Sequence, residues 1–290
     1  MDKNLIQRLI SGFIYGFVIL LCTTPLGEQW LSFLPGNIRQ QYLYFGLITL
    51  FLLVGVWECV KIMKFDNGFY KWLVLPLVAF VYYQFAKKFF YHGFYFPAKL
   101  SEFLSLSLVL IACITVFKFP KELYFENGKF IFTVIYAALP FGYALALPSF
   151  STMEAGSFSL EVFMLFVLIW SSDSFAYFTG RMFGKHKMAP KISPKKTWEG
   201  FAGGVVFTLI LGYFVEQNFP ELRGNWMIIG FLVSIFAPLG DLVESQLKRT
   251  FAVKDSGNII PGHGGVLDRL DSFIICVPVV YLYFILEKLI

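Results

Sequence analysis

Apolar runs about as long as a bilayer is thick recur from one end of this 290-residue chain to the other. A helix needs about 20 mostly apolar residues to cross the hydrocarbon layer, with a usable range of about 17–25. Runs near that length stand at roughly 9–25, 42–60, 71–86, 102–117, 130–149, 160–179, 200–216, 226–240 and 272–288. They predict about nine spans. Several are short by a few residues, which leaves one short run as a re-entrant candidate. Composition excludes the soluble alternative. Hydrophobic residues make up 57% of the chain and charged ones only 15%, against about 45–50% and about 25% in soluble domains. The expected fold class is an all-α, polytopic membrane protein.

Charge placement orients the spans. Taking nine spans and a cytoplasmic N-terminus, 18 of the 24 Lys and Arg residues fall on one side. Cytoplasmic loops carry such an excess, so the N-terminus is expected inside and the C-terminus outside. The two richest loops, 180–199 and 241–271, then share the cytoplasmic face. The first run follows Lys3 and Arg8, as a signal peptide would. The segment after it, Thr23-Thr24-Pro25-Leu26-Gly27-Glu28, has no A-x-A cleavage pattern, so a retained helix is expected. Cys22, Cys59, Cys113 and Cys276 lie in or beside apolar runs without C-x-x-C spacing and read as packing residues. Residues 1–150 read as a transmembrane scaffold. Residues 151–290 read as a catalytic region with cytoplasmic loops.

Three segments carry chemistry. Asp173 sits in the apolar run Trp170-Ser171-Ser172-Asp173-Ser174. An ionised Asp there is costly unless it is paired or lies in a wet cavity, and intramembrane acids mark ion or substrate sites. The loop from Gly184 to Gly200 carries five lysines, with Ser193 and Thr197 as phosphate-binding hydroxyls beside Lys195 and Lys196. In the third segment, a helix over 241–250 would put Asp241, Ser245 and Lys248 on one face. Arg249, Lys254, Asp255, His263, Gly264, Gly265, Asp268, Arg269 and Asp271 follow. Clustered carboxylates beside lysines and glycines are what a nucleoside triphosphate site needs. One or two carboxylates hold Mg²⁺ with phosphate oxygens. Cations offset phosphoryl charge, and glycines admit backbone N–H groups to phosphate. Three histidines without ligand spacing give no zinc site. Glu58, near Lys61, reads as half of a structural pair.

The run Ser245-x-Leu-Lys-Arg, then Lys254-Asp255, then Pro261-x-His263-Gly264-Gly265-x-x-Asp268-Arg269-x-Asp271 closely resembles the signature of phosphatidate cytidylyltransferases. Ser193-Pro-Lys-Lys-Thr-Trp-Glu-Gly and Ser172-Asp-Ser-Phe-Ala-Tyr are similar to that family's segments as well. The resemblance covers roughly residues 170–272. It implies CMP transfer from CTP to phosphatidic acid, giving CDP-diacylglycerol and pyrophosphate. It also implies Mg²⁺, with a second cation left open, and a homodimer in the bilayer. It carries the metal role to Asp241 and Asp268 first, then to Asp173, and last to Asp271 and Asp255. Catalytic roles fall to Lys248, Arg249, Lys254, Asp255 and His263. Substrate binding falls to Ser193, Lys195, Lys196, Thr197, Ser245, Gly264, Gly265 and Arg269. The expected setting is a bacterial inner membrane with a cytoplasm-facing site, and no nucleic acid among the partners. Two alternatives stay open. A cytidylyltransferase for ether or isoprenoid lipids, or a related lipid kinase, would be separated by product analysis. An ion-coupled transporter would release no pyrophosphate.

Overall fold

The computed structural model describes residues 3–33, 38–91, 100–150, 160–262 and 264–289. Helices α1 (Lys3–Thr23), α2 (Leu26–Trp30), α3 (Gln40–Met63), α4 (Gly68–Tyr91), α5 (Leu100–Lys118), α6 (Glu126–Thr133) and α7 (Leu139–Ala146) form the N-terminal half. A π-helical turn, Val134–Ala138, joins α6 to α7, just before Pro140, which has no N–H to give the helix ladder. The C-terminal half holds α8 (Glu161–Phe183), strands β1 (Lys187–Ala189) and β2 (Ser193–Thr197), α9 (Trp198–Asn218), α10 (Trp226–Thr250) and α11 (Leu267–Leu289).

Among the described residues, eight helical stretches are long and apolar enough to cross a membrane, the α6–α7 stretch counting as one. The ninth expected span is α1, whose apolar part is the shorter Ile10–Thr23. Large apolar side chains such as Phe13, Trp72, Phe80, Leu110 and Ile210 point outward from their helices. In water that surface would drive association; in lipid it is solvated.

The apolar runs underestimate two helices. α10 continues ten residues beyond the run ending at 240, and α11 starts five residues before the run beginning at 272. The loop between them is therefore 251–266, not 241–271. The added turns contain Asp241, Glu244, Lys248, Asp268 and Asp271, whose charges end an apolar run without ending a helix. The 184–197 segment is likewise a small antiparallel hairpin rather than an open loop, with Lys187 opposite Thr197 and Ala189 opposite Ser193. Its turn closes through the N–H of Ile192 to the carbonyl of Ala189, 3.1 Å, around Pro190.

Helices α8, α9, α10 and α11 pack on one another, and α11 also lies against α3, α5 and α7. One hydrophobic core runs from Ile19 to Ile285 across both halves. At Gly204 a Cβ would stand 3.1 Å from the Ser172 carbonyl oxygen and 3.2 Å from the Ala176 Cβ. The absence of a side chain there lets α9 approach α8 closely, as small residues do in membranes.

Candidate active site

Helices α8, α10 and α11, strand β2 and the 251–266 loop enclose one cavity of about 1020 Å³. α8 contributes Asp173 and Arg181. β2 contributes Ser193, Lys195, Lys196 and Thr197. α10 brings Asp241, Glu244 and Lys248; α11 brings Asp268, Arg269 and Asp271; the loop adds Asp255. Ser11 and Tyr15 of α1 form part of its wall. Asp173, expected to need a partner or a wet cavity, lies in a membrane-length helix and lines this cavity.

The hairpin is held to the start of α9. Thr197 caps that helix, its hydroxyl accepting from Gly200 N–H at 3.2 Å. The Glu199 carboxylate accepts the Lys185 N–H at 3.0 Å and lies 2.6 Å from His186 Nδ1. The Thr-Trp-Glu-Gly segment thus fixes the strand that presents the lysines. Lys196 Nζ reaches Asp241 Oδ2 at 2.8 Å and donates to the Pro238 carbonyl at 2.8 Å. Ser245, one turn along α10, donates to Asp241 Oδ1 at 3.0 Å, as the shared helix face predicts.

Lys248 joins α10 to α11. Its Nζ stands 2.6 Å from Glu244 Oε2 and 2.5 Å from Asp268 Oδ1. The other Asp268 oxygen accepts three donors: Gly265 N–H at 2.8 Å, Ser256 N–H at 2.9 Å and the Ser256 hydroxyl at 2.9 Å. Asp271 accepts the Ser272 N–H at 2.6 Å and lies within electrostatic reach of Asp241 and Asp173. Glu244 Oε1 is buried with no hydrogen-bond partner among the described residues. Carboxylates and cations therefore interleave in a place where an unpaired charge is expensive.

Several expected site residues stand elsewhere. Arg249 and Lys254 are exposed and do not line the cavity. Ser245 acts behind Asp241. His263 lies outside the described residues. Gly264 and Gly265 were expected to admit phosphate; instead they admit protein carboxylates. A Cβ on Gly265 would collide with the Ser256 hydroxyl and both Glu58 carboxylate oxygens, and Gly264, at φ +87°, packs against the Asp268 carboxylate.

Glu244 and Ser256 escaped the sequence reading, and Glu58 was read with the wrong partner. Glu58 does not pair with Lys61, whose ammonium lies over the Trp57 ring, 5.3 Å from its centroid. Glu58 is fully buried and accepts from Val266 N–H (3.0 Å) and Leu267 N–H (2.8 Å); the Ser256 hydroxyl, with one proton to share between Glu58 and Asp268, lies 3.1 Å from it. The signal was available: an acid inside an apolar helix, as at Asp173. Lys61, one turn on, offered a nearer partner.

Asp173, Asp241 and Asp271 supply the hard oxygen donors that Mg²⁺ takes, and all three face the cavity. Among the described residues, no three His, Cys, Asp or Glu side chains are grouped to hold an ion; Lys196 holds one of the three, Asp241, and Lys248 holds Asp268.

A model of the Cytidylyltransferase family matches residues 7–286. The chain is 41% identical over 187 residues to a phosphatidate cytidylyltransferase of Bacillus subtilis, covering 64% of this chain and 67% of that one. It is 50% identical over 127 residues to the Haemophilus influenzae protein of that name, covering 41% and 44%. The Staphylococcus aureus (strain COL) protein of that name is 50% identical over 119 residues, covering 39% and 44%.

Proposed function

Because the chain belongs to the cytidylyltransferase family, we propose that its cavity transfers CMP from CTP to phosphatidic acid, forming CDP-diacylglycerol and pyrophosphate. The observation that carries this reading is the interleaved aspartate and lysine set on α8, β2, α10 and α11, opening into one cavity within membrane-length helices.

An oxygen of the lipid phosphate attacks the α-phosphorus of CTP. The bond from that phosphorus to the bridging oxygen breaks, and pyrophosphate leaves. The nucleophile is already an anion and needs little help from a base. The obstacle is repulsion between two polyanions that must be held in line. Lys195, Lys196, Arg181 and Arg269 line the cavity and offset that repulsion; positioning supplies much of the rest. Bound Mg²⁺, held by Asp173, Asp241 and Asp271, would neutralise triphosphate charge and orient it. Asp268, with both oxygens engaged by the protein, is better suited to holding Lys248 and the loop.

The biased distribution of lysine and arginine supports a cytoplasmic mouth, where CTP is found, with the acyl chains in the bilayer. Bacterial relatives support an inner-membrane setting, and the family resemblance supports a homodimer. The test uses protein in detergent micelles with phosphatidic acid, Mg²⁺ and α-labelled CTP. Label in a lipid-extractable product together with free pyrophosphate is expected. A folded protein that makes neither overturns the reading.

A further inference from the structure

We infer that Glu58 of the N-terminal half is a positioning residue for the catalytic carboxylates, acting through Ser256 and the first turn of α11. This inference rests on the CMP-transfer reading.

The first amides of a helix have no partner inside it, and they form the positive end of its dipole. Gly264, Gly265 and Val266, which precede α11, offer no capping side chain. Glu58 supplies the cap from more than 200 residues away: Oε1 takes the Val266 N–H and Oε2 the Leu267 N–H. The Ser256 hydroxyl lies 3.1 Å from Glu58 Oε2 and 2.9 Å from Asp268 Oδ2, and accepts the Asp268 N–H at 3.3 Å. One hydroxyl therefore links a carboxylate of α3 to a carboxylate of the cavity. Asp268 in turn holds Lys248 of α10.

The surroundings are shaped to this carboxylate. Gly257 and Gly265 both lie against its oxygens, where a Cβ would overlap them. A buried charge inside a membrane helix is costly unless well paired, and here it is met by two backbone N–H groups and by a hydroxyl whose one proton it shares with Asp268. Glu58 touches none of the cavity's open space; its effect is on where α11 begins. That start sets Asp268, Arg269 and Asp271 against Asp241. A displacement of about 1 Å at a reacting centre costs about 100-fold in rate. The consequence is a loss in kcat with little change in KM.

The test compares wild type, Glu58→Gln, Ser256→Ala and the double variant, each full length in detergent micelles. Glutamine keeps the shape and one oxygen, so one of the two backbone N–H groups loses its acceptor and faces an N–H₂ group instead. Glu58→Gln is expected to lower kcat about 10- to 100-fold with KM for CTP and phosphatidic acid within about threefold. Ser256→Ala is expected to lose about 3- to 10-fold, and the double variant no more than about twofold beyond Glu58→Gln, since both act in one chain of contacts. Hydrogen–deuterium exchange over 256–271 should quicken in Glu58→Gln by more than any fall in its thermal midpoint accounts for. Unchanged kcat in folded Glu58→Gln, a loss carried by KM, or a loss that only follows the folded fraction overturns the inference. If Glu58→Gln does not fold, Ser256→Ala alone decides it: unchanged kcat overturns the link. If wild type transfers no CMP, the transfer reading fails, and the exchange measurement still decides whether Glu58 holds the start of α11.

Discussion

Buried charge is answered differently in the two halves of the molecule. In α8–α11 it faces a cavity, and two of the lysines that enter reach carboxylates of another element: Lys196 of β2 reaches Asp241 of α10, and Lys248 of α10 reaches Asp268 of α11. In α1–α7 it faces protein. Lys129 is satisfied by Glu126, Asp66 and the Lys64 carbonyl. Glu102 takes Lys88 at 3.2 Å and the Tyr281 hydroxyl at 2.8 Å. Tyr281 lies thirteen residues beyond Asp268 on the same helix, about 20 Å along its axis. Glu58 crosses between the halves. A charge that can be satisfied by its own neighbourhood reads as architecture; one left facing a cavity with a surplus of like partners is available for a substrate.

The contrast can be broken by substitution. The largest effect is expected at the cavity: Asp241→Asn lowers CMP transfer by about 10²–10³-fold, measured with labelled CTP on folded protein. Asp268→Asn sharpens this. A smaller loss than at Asp241 confirms Asp268 as the anchor of Lys248 and the loop; an equal loss returns it to the metal set. Lys248→Met leaves Glu244 and Asp268 facing each other unpaired, and should cost about 3–5 kcal/mol of stability in detergent unfolding. Glu102→Gln should cost about 1–2 kcal/mol, while activity per folded molecule stays within about twofold of wild type. A large loss of rate there would erase the distinction between the halves. Arg223→Ala, removing a half-exposed contact with Glu287 at 3.7 Å, should change stability by no more than about 0.5 kcal/mol and leave transfer unchanged.

Much of this was legible beforehand, because the relevant signals are local. Span length, the lysine and arginine bias, and the shared face of Asp241 and Ser245 follow from periodicity and from what lipid excludes. Asp173, Lys195, Lys196, Asp241, Lys248, Asp255, Asp268, Arg269 and Asp271 all reach one cavity, as the polar segments predicted. The readings that changed share one cause: they concern groups whose partners are distant in the chain. Gly265 looks like a phosphate glycine until Glu58 is seen filling the space its side chain would take. Arg249 and Lys254 belong to the signature by spacing, yet they are exposed and do not line the cavity.

From the sequence alone came an all-helical membrane protein with its chemistry confined to residues 170–272, because burial in lipid imposes length and apolarity on every span and the polar residues that break the rule stand out. Only the tertiary structure decided which carboxylate meets which cation, that α10 and α11 extend through the charged turns, and that a glutamate of α3 caps α11. Those outcomes depend on how helices cross in three dimensions. A hydrogen bond is settled within a few tenths of an ångström, and no spacing along a chain specifies contacts at that scale between residues 200 positions apart.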